Sequence, residues 1–406
     1  GQFYSRRFVM TYPNEQLWEA RPLKMAPAYE AMTADGANWG EMYGLEIPIY
    51  FAPQGFEETP TLRRSNAFDI VGDECRQVRE GVGIIDITGF SRYEVTGPNA
   101  ERWLDHLMSA KLPGPGRIRL SPMLGHDGRL KGDLTVLNWG DGTWWIMGSY
   151  YLRAWHMRWF DDHVGDGVTV RDISDGIVGF GLSGPRSRDL MELLTRDDVS
   201  NETFRFMQCR TMDIGPIRAK VGRISVTGEL GYEIHCDATE HIALRRALLQ
   251  AGREVDAIEY GFNAMGSLRM EKSFGIWSKE FRQEYTPGMT GMDRWIDWSK
   301  DFIGAEAARR ERDEDSAPRQ LVTLEIDASD ADGSGYEPVW RNGERIGYIT
   351  SGEYGHVVGK SLALALIDRE HVGVGTELRA HIVGEERPAR IIADSPYDPP
   401  GSAMRA

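Results

Sequence analysis

The sequence predicts an α+β chain in which a duplicated strand–turn–helix unit precedes a separate all-β domain. Three observations carry this. Residues 93–108 read as strand, Gly97-Pro98 turn and amphipathic helix, and residues 180–194 repeat that order around Gly184-Pro185. Aligned on the Gly-Pro pairs, Trp103 and Leu104 fall on Leu190 and Met191, which points to an internal duplication. The charged run at 305–318 ends in Pro318 and marks a boundary. Beyond it, residues 320–391 hold only short strands and turns, the pattern of a small antiparallel barrel or roll.

Taken in order, residues 1–60 read as an irregular lead-in with scattered prolines and no sustained period, wrapping over a neighbour. Residues 73–80 are helix-like and 81–88 a buried strand or turn. Residues 125–150 form a hairpin, with one strand over 129–137, a turn over 139–142 and a second strand over 143–147. Alternation puts Leu130, Gly132, Leu134 and Val136 on one face and Lys131, Asp133, Thr135 and Leu137 on the other. Asp133 and Thr135 thus project together, and Gly132 beside them would let a ligand or another backbone approach. Residues 150–160 form a tryptophan-rich helix whose Trp155, Trp159 and His156 are expected in the core. Residues 217–235 are strand, turn and strand, with Glu233 and His235 on one face and Tyr232, Ile234 and Cys236 on the other. A helix over 239–255 follows, then an apolar segment carrying Arg269 and Glu271, for which a weak helix-surface salt link is the ordinary expectation.

Composition narrows the function. At 406 residues the chain can bury a large core, and two or three domains are expected. A net charge of −15 argues against nucleic acid and anionic membranes. No apolar run is long enough to span a bilayer, and the start does not read as a signal peptide. Cys75, Cys209 and Cys236 are far apart with no CxxC, so reduced thiols, a cytoplasmic or other reducing compartment and no structural zinc are expected. The first residue is Gly1, so the chain is read as a processed product or part of something longer. There is no GxGxxG opening a strand–helix unit, no Walker A loop, no HExxH and no GxSxG; no metal site is expected. The residues alone leave a candidate polar site of Asp133, Thr135, Glu233 and Arg269.

Several segments together resemble the tetrahydrofolate-binding aminomethyltransferase family, the T-protein of the glycine cleavage system, and in particular the C-terminal half of dimethylglycine and sarcosine dehydrogenases. They are RRSNAFDIVGDE (63–74), GVGIIDIT (81–88), PMLGHDGRLKGDLTV (122–136), SVTGELGYEI (225–234), GSLRMEKSFG (266–275) and TSGEYG with KSLALA (350–365). The resemblance implies a T-protein-like ring of three domains, two mixed α/β and one antiparallel β-barrel, around a central folate pocket. It divides the chain into 1–60, similar to the end of a flavin-dependent oxidase portion, 61–310, the folate-binding domains, and 317–400, the barrel. It places the pterin-binding carboxylate at Glu233 and the catalytic aspartate at Asp133, and adds Thr135, Gly148, Tyr232 and Arg269 as folate-lining positions.

The implied reaction is capture of an iminium or formaldehyde-level carbon on tetrahydrofolate, giving 5,10-methylenetetrahydrofolate. The implied partner is a flavoprotein dehydrogenase domain or subunit, the only place where FAD is expected. Met265 stands where T-proteins carry Arg, Gly132-Asp133 replaces their paired aspartates, and YTPGMTGMDRWIDW (285–298) departs from their usual run. These departures point away from a lipoyl-borne donor and toward a carbon released by amine oxidation. Two other readings stand beside this one: a demethylase that moves an intact methyl group from a sulfonium or ether to folate, and a non-catalytic folate-binding protein.

Overall fold

In the computed structural model of the protein, which describes residues 2–406, a short helix (Tyr29–Ala34) leads into a hairpin of β1 (Ala37–Met42) and β2 (Leu45–Phe51). This corrects the reading of residues 1–60 as irregular. Met32 and Trp39 enter the largest hydrophobic cluster and Tyr50 enters another. β2 is covered on both faces, so its sequence shows no alternation, and Pro48 interrupts it further.

The helix Phe68–Glu80 precedes β3 (Gly83–Asp86) and β4 (Phe90–Thr96). After the helix Ala100–Leu107 come β5 (Arg117–Leu124), β6 (Leu130–Asn138), β7 (Trp144–Ser149), the helix Arg153–His163 and β8 (Thr169–Asp172). The second half holds β9 (Ile177–Ser183), the helix Ser187–Leu194, β10 (Cys209–Ile214), β11 (Ile217–Gly222), β12 (Gly231–Asp237), the helix His241–Gly252, β13 (Ile258–Glu259) and the helix Phe262–Met270. The first sheet runs β5-β6-β7-β4-β8 and the second β10-β11-β12-β9-β3-β13. In each, a three-strand meander takes as its next neighbour the strand that preceded the first helix of its unit. The duplication read from the Gly-Pro pairs is therefore a repeat of topology. Gly97 and Gly184 both have positive φ, +116° and +131°, and a Cβ at either would collide with a backbone carbonyl, of Gly167 and Gly81 respectively.

The helix Ala305–Glu314 leads into a closed barrel of β14 (Arg319–Ile326), β15 (Pro338–Arg341), β16 (Glu344–Gly355), β17 (Lys360–Asp368), β18 (Glu377–Ile382) and β19 (Glu385–Ile392). Its interior is filled by small and branched side chains such as Val339, Ala363, Ala365 and Ala380. Each of the three units touches the other two. Arg92 of the first sheet donates from Nε to His235 Nδ1 of the second (3.2 Å). Ser267 of the helix Phe262–Met270 donates to the Tyr354 carbonyl of the barrel (2.7 Å). Leu130 N donates to the Tyr285 carbonyl (3.0 Å), and the Tyr285 and Tyr348 hydroxyls meet at 2.7 Å, joining the first sheet to the barrel.

One buried ion network ties these parts together. Arg79 pairs with Glu229 and Glu271, each at 2.9 Å, and donates to the carbonyls of Thr227 (2.8 Å) and Leu268 (3.1 Å). Glu271 also accepts from the backbone N–H groups of Val357 (2.8 Å) and Val358 (3.0 Å), and the Tyr397 hydroxyl donates to Glu229 (2.6 Å). The expected surface link between Arg269 and Glu271 is thus corrected. Both are buried and take separate partners, because each faces a different neighbouring element. Replacing Arg79 with Met would leave two buried carboxylates without their cation, which costs about 3–5 kcal/mol. Urea unfolding of Arg79→Met should show that loss. Arg79→Lys should restore only part, because an ammonium cannot reproduce the guanidinium fork.

Candidate functional site

The inner faces of the two sheets meet through Leu137, Trp145 and Met147 with Cys209 and Ile224, while at its β3 end the second sheet packs that face against the helices Phe68–Glu80 and Phe262–Met270. On the first sheet, register sets Thr135 opposite Met147 and Met147 opposite Arg92. With Asp133 two residues before Thr135, these side chains share the inner face, while Leu134, Val136 and Ile146 pack under the helices. On the second sheet, Glu233 and His235 point inward, and Tyr232, Ile234 and Cys236 fill the largest core.

Glu233 sits in a slot. Its cross-strand neighbours are Gly181 on β9 and Gly222 on β11, so no side chain flanks it on either strand. Cβ atoms built at those glycines would stand 3.1 Å from Ile85 Cγ2 and 3.1 Å from Ile118 Cδ1, which makes the slot narrow and its walls apolar. The carboxylate is one-fifth exposed (20%) and accepts no hydrogen bond from the described residues. Burial pushes its pKa up to about 7 against the opposing pull of Arg92.

Asp133 lies where β6 has run past its pairing with β7, which begins at Thr135. The carboxyl is recessed: it reaches solvent-accessible space yet is surrounded by protein. It makes no ion pair or hydrogen bond with another described side chain. Burial pushes it up to about 7; its own backbone N–H opposes this, and the nearby Glu280 carboxylate adds to it. Thr135 shares its face and is half-buried, with its hydroxyl unengaged by other described side chains.

Three sequence-based assignments change. Tyr232 is fully buried on the opposite face of β12, its hydroxyl 3.4 Å from the Val199 carbonyl, so strand alternation removes it from the site. Gly148 lies at the edge of the layer, but a Cβ there would point to the helix side, 2.7 Å from Leu134 Cδ2 and 3.3 Å from His156 Cε1. Gly132 likewise makes room for His156 and Leu134, with His156 Nε2 at 3.1 Å from a built Cβ, rather than for a ligand. Both glycines are explained by packing around His156. That residue is in the core as expected, 3.0 Å from the Tyr93 hydroxyl, with burial lowering its pKa to about 4. Arg269 is held by the Phe274 carbonyl and Ser351 Oγ, both 3.1 Å, with Glu280 at 3.6 Å, so it braces the loop beneath Asp133.

The structure also brings in residues that sequence reasoning missed. Arg92 is fully buried at an inward position of β4; Glu94 two residues on made the face read as a polar one, so the sequence did not single it out. Glu280 accepts from Thr350 Oγ1 (2.6 Å) and Ser351 Oγ (2.5 Å) and leans toward Asp133; nothing local in the sequence marks it. The hydroxyl of Tyr151 is buried without a hydrogen-bond partner among the described residues, and its ring stacks on Tyr43 at 4.6 Å. Glu353 lies against Gly266, and burial raises its pKa to about 7, partly offset by Arg269. Among the described residues no group of three or more His, Cys, Asp or Glu converges as a metal site, and no helix is long and apolar enough to cross a membrane.

A sequence profile described as the GCVT N-terminal domain matches residues 28–300, and one described as the glycine cleavage T-protein C-terminal barrel domain matches residues 319–398. The chain belongs to the glycine cleavage T-protein family. It is 30% identical over 398 residues to human mitochondrial dimethylglycine dehydrogenase, covering 96% of this chain and 46% of that protein. It is 28% identical over 380 residues to an aminomethyltransferase of a Geobacillus species, covering 92% of this chain and 99% of that one. The chain therefore spans about half the length of the dehydrogenase relatives and nearly all of the aminomethyltransferase. The crystal structure of the glycine cleavage system aminomethyltransferase T from Bartonella henselae superposes with a TM-score of 0.80 over 93% of this chain and 98% of that one, at 20% identity, which establishes the T-protein fold.

The raised carboxyl of Asp133 has a consequence for stability. An unfolded Asp ionises near its ordinary value of 3.8, whereas the folded one holds its proton to about 7. The folded state therefore binds the proton more tightly, and stability falls as pH rises from about 4 through 7. Asp133→Asn should raise the melting temperature at pH 8 and leave it nearly unchanged at pH 4, as read by calorimetry. A second expectation concerns the slot: Gly181→Val should fill the space beside Glu233 and reduce ligand affinity more than tenfold, while circular dichroism stays native.

Proposed function

We propose that the chain transfers a one-carbon unit at the formaldehyde level to tetrahydrofolate, forming 5,10-methylenetetrahydrofolate, in a system of the dimethylglycine or sarcosine dehydrogenase type. The observation that carries this reading is Glu233, a recessed carboxylate with no hydrogen-bond partner among the described residues, bracketed by Gly181 and Gly222. A pterin is flat and presents a ring N–H beside an exocyclic amine. A carboxylate at the end of a narrow apolar slot accepts both donors at once. The residues therefore fit the folate that the family takes, and the folate supplies the nucleophilic nitrogens.

The chain's own residues divide the remaining work. Glu233 anchors and orients. Asp133, whose carboxyl is raised to about 7, is half-ionised near neutral pH, where a general acid–base group works best. It takes a proton at its carboxylate as the carbon is captured and returns it to the departing amine. Thr135 lines the same face, and Arg269 and Glu280 brace the floor beneath Asp133. At the position where the resemblance expects a T-protein arginine, Met265 packs against a hydrophobic cluster, which supports a donor without a lipoyl arm. The donor carbon would come from amine oxidation on a fused or associated flavoprotein, which would hold the FAD. The relative named dimethylglycine dehydrogenase supports that partner class. Holding the reactive carbon near its acceptor raises its effective concentration.

Glu233→Gln should weaken tetrahydrofolate binding by about 1–3 kcal/mol, because one ligand donor then faces an amide N–H. Titration calorimetry with unchanged affinity would remove Glu233 from the site. Asp133→Asn should bind folate within a few-fold of the parent and lose roughly 10²–10⁴ in transfer rate at saturation. Normal turnover at saturation would show that Asp133 has no acid–base role. Product analysis yielding methyl- rather than methylenetetrahydrofolate would favour an intact-methyl transfer instead.

A further inference from the structure

Behind Glu233 lies an arrangement that the proposed chemistry has not yet used. Arg92 is fully buried on β4. Its terminal nitrogens donate to the carbonyls of Phe90 and Ile87, both at 2.9 Å, and its Nε donates to His235 Nδ1 at 3.2 Å. A guanidinium has no acceptor, so Nδ1 of His235 must be the lone-pair nitrogen. The proton of the neutral ring then sits on Nε2. That atom is buried, has no hydrogen-bond partner among the described residues, and stands 3.7 Å from Glu233 Oε2. The gap exceeds hydrogen-bond range by roughly 0.5 Å or more. A buried histidine N–H left without an acceptor, with a carboxylate just beyond reach, is costly to keep unless that carboxylate comes to it.

We propose that Arg92 and His235 form a buried positioning relay, in which Arg92 fixes the His235 tautomer and His235 Nε2–H closes on Glu233 to hold it oriented and ionised when a ligand with two adjacent N–H donors enters the slot. This rests on the folate reading and deepens it. Neither residue touches the ligand: both act through Glu233. The analogous logic is seen at metal-bound histidines, where the bond made by one ring nitrogen sets the task of the other.

The surrounding groups agree with this assignment. Burial holds the His235 imidazole well below its usual range, and Arg92 and Lys220 act in the same sense, so the ring stays neutral. The charged groups facing the relay are Arg92 on β4, Lys220 on β11, which pairs in register with His235, and Asp86 on β3, which acts on Arg92. Lys220 is itself tied to Asp141 at 3.7 Å. From β7 the relay meets Trp145, whose ring packs edge-on to His235 at 5.6 Å, and from β9 only Gly181 and Gly179 lie opposite Glu233 and His235. Arg92 is the one cation among these that opposes the rise in the Glu233 pKa. Because the ligand's donors bind the carboxylate form, affinity should rise with pH through about 7 and then level. Removing the Nε2–H should lower the affinity reached above that midpoint and leave the midpoint in place, because the bond to Glu233 forms only with the ligand bound.

The test is calorimetric titration of the full chain with tetrahydrofolate across roughly pH 5.5–8.5 for the parent, His235→Phe, His235→Gln and Glu233→Gln. His235→Phe should lower affinity roughly tenfold across this range, as expected for losing a hydrogen bond to a charged group in the bound state, and leave the midpoint near 7. His235→Gln keeps an N–H donor and should recover most of the loss. Nitrogen-15 NMR of the histidine-labelled parent should show a neutral Nε2–H ring at position 235, and its Nε2 signal should shift on binding. If His235→Phe binds as tightly as the parent while Glu233→Gln loses affinity, the relay is wrong and the folate site stands. If Glu233→Gln also binds like the parent, both fall. Should His235→Phe not fold, the NMR decides: an Nδ1–H or protonated ring at 235 overturns the relay.

Discussion

Arg79 is the constraint on which the arrangement of this molecule most depends. Its guanidinium is the only cation in an ion pair with Glu229 and Glu271 among the described residues, and through them it joins five pieces of chain: the helix Phe68–Glu80, the turn at 227–231, the helix Phe262–Met270, the barrel loop at 357–358 and the C-terminal segment at Tyr397. A buried pair of this kind adds little net stability compared with packed hydrophobic residues, but it tolerates very few geometries. Its effect here is placement. The 227–231 turn feeds directly into β12, so fixing Glu229 sets where Glu233 emerges two residues after the turn. The same cation fixes the helix that carries Arg269, which braces Glu280 beneath Asp133. The fold's internal electrostatics thus position both carboxyls without contacting either.

What the site keeps free is as telling as what it binds. Most buried charges in this chain are paired: Arg21 with Glu46, Arg245 with Glu259, Arg79 with two glutamates. Asp133 and Glu233 are both recessed, both pushed up to about 7, and neither accepts a hydrogen bond from another described side chain. Each is held in a protonation balance that would be lost if a permanent cation sat beside it. Arg92 is close enough to temper Glu233, but each of its three nitrogens already donates to a carbonyl or to His235. Such uncommitted carboxyls oppose folding and are kept where function requires them.

Much of this was legible in the sequence. Alternation alone placed Asp133 with Thr135, and Glu233 with His235, because strand parity is unaffected by what lies across the sheet. The Gly-Pro pairs announced the repeat, since only glycine fits where the chain turns with positive φ against a neighbouring carbonyl. The same parity should have removed Tyr232, which strand reading put on the far face while family likeness put it at the ligand. Other features were hidden for physical reasons. Glycine at 132 and 148 looks the same in sequence whether it yields to a ligand or to His156. β2 shows no period because both of its faces are covered. Glu280 comes to Asp133 from a distant loop, and no local pattern reports a contact across more than a hundred residues.

The duplication explains why the site lies where it does. Two copies of one meander, each shielded on its outer face by helices, must bury their inner faces against each other, and that leaves a single shared layer. Functional side chains then come from non-equivalent places. Asp133 lies on the second strand of its meander and Glu233 on the third strand of the other. Had the equivalent strands supplied both, the carboxyls would be related by the pseudo-symmetry of the pair and would share one environment. Drawn instead from different strands, one meets the edge where β6 outruns β7, with Glu280 as its neighbour, and the other meets a glycine-flanked slot backed by His235 and Arg92. The repeat supplies the scaffold, and the broken symmetry gives two chemically similar carboxyls different neighbours and therefore different tasks.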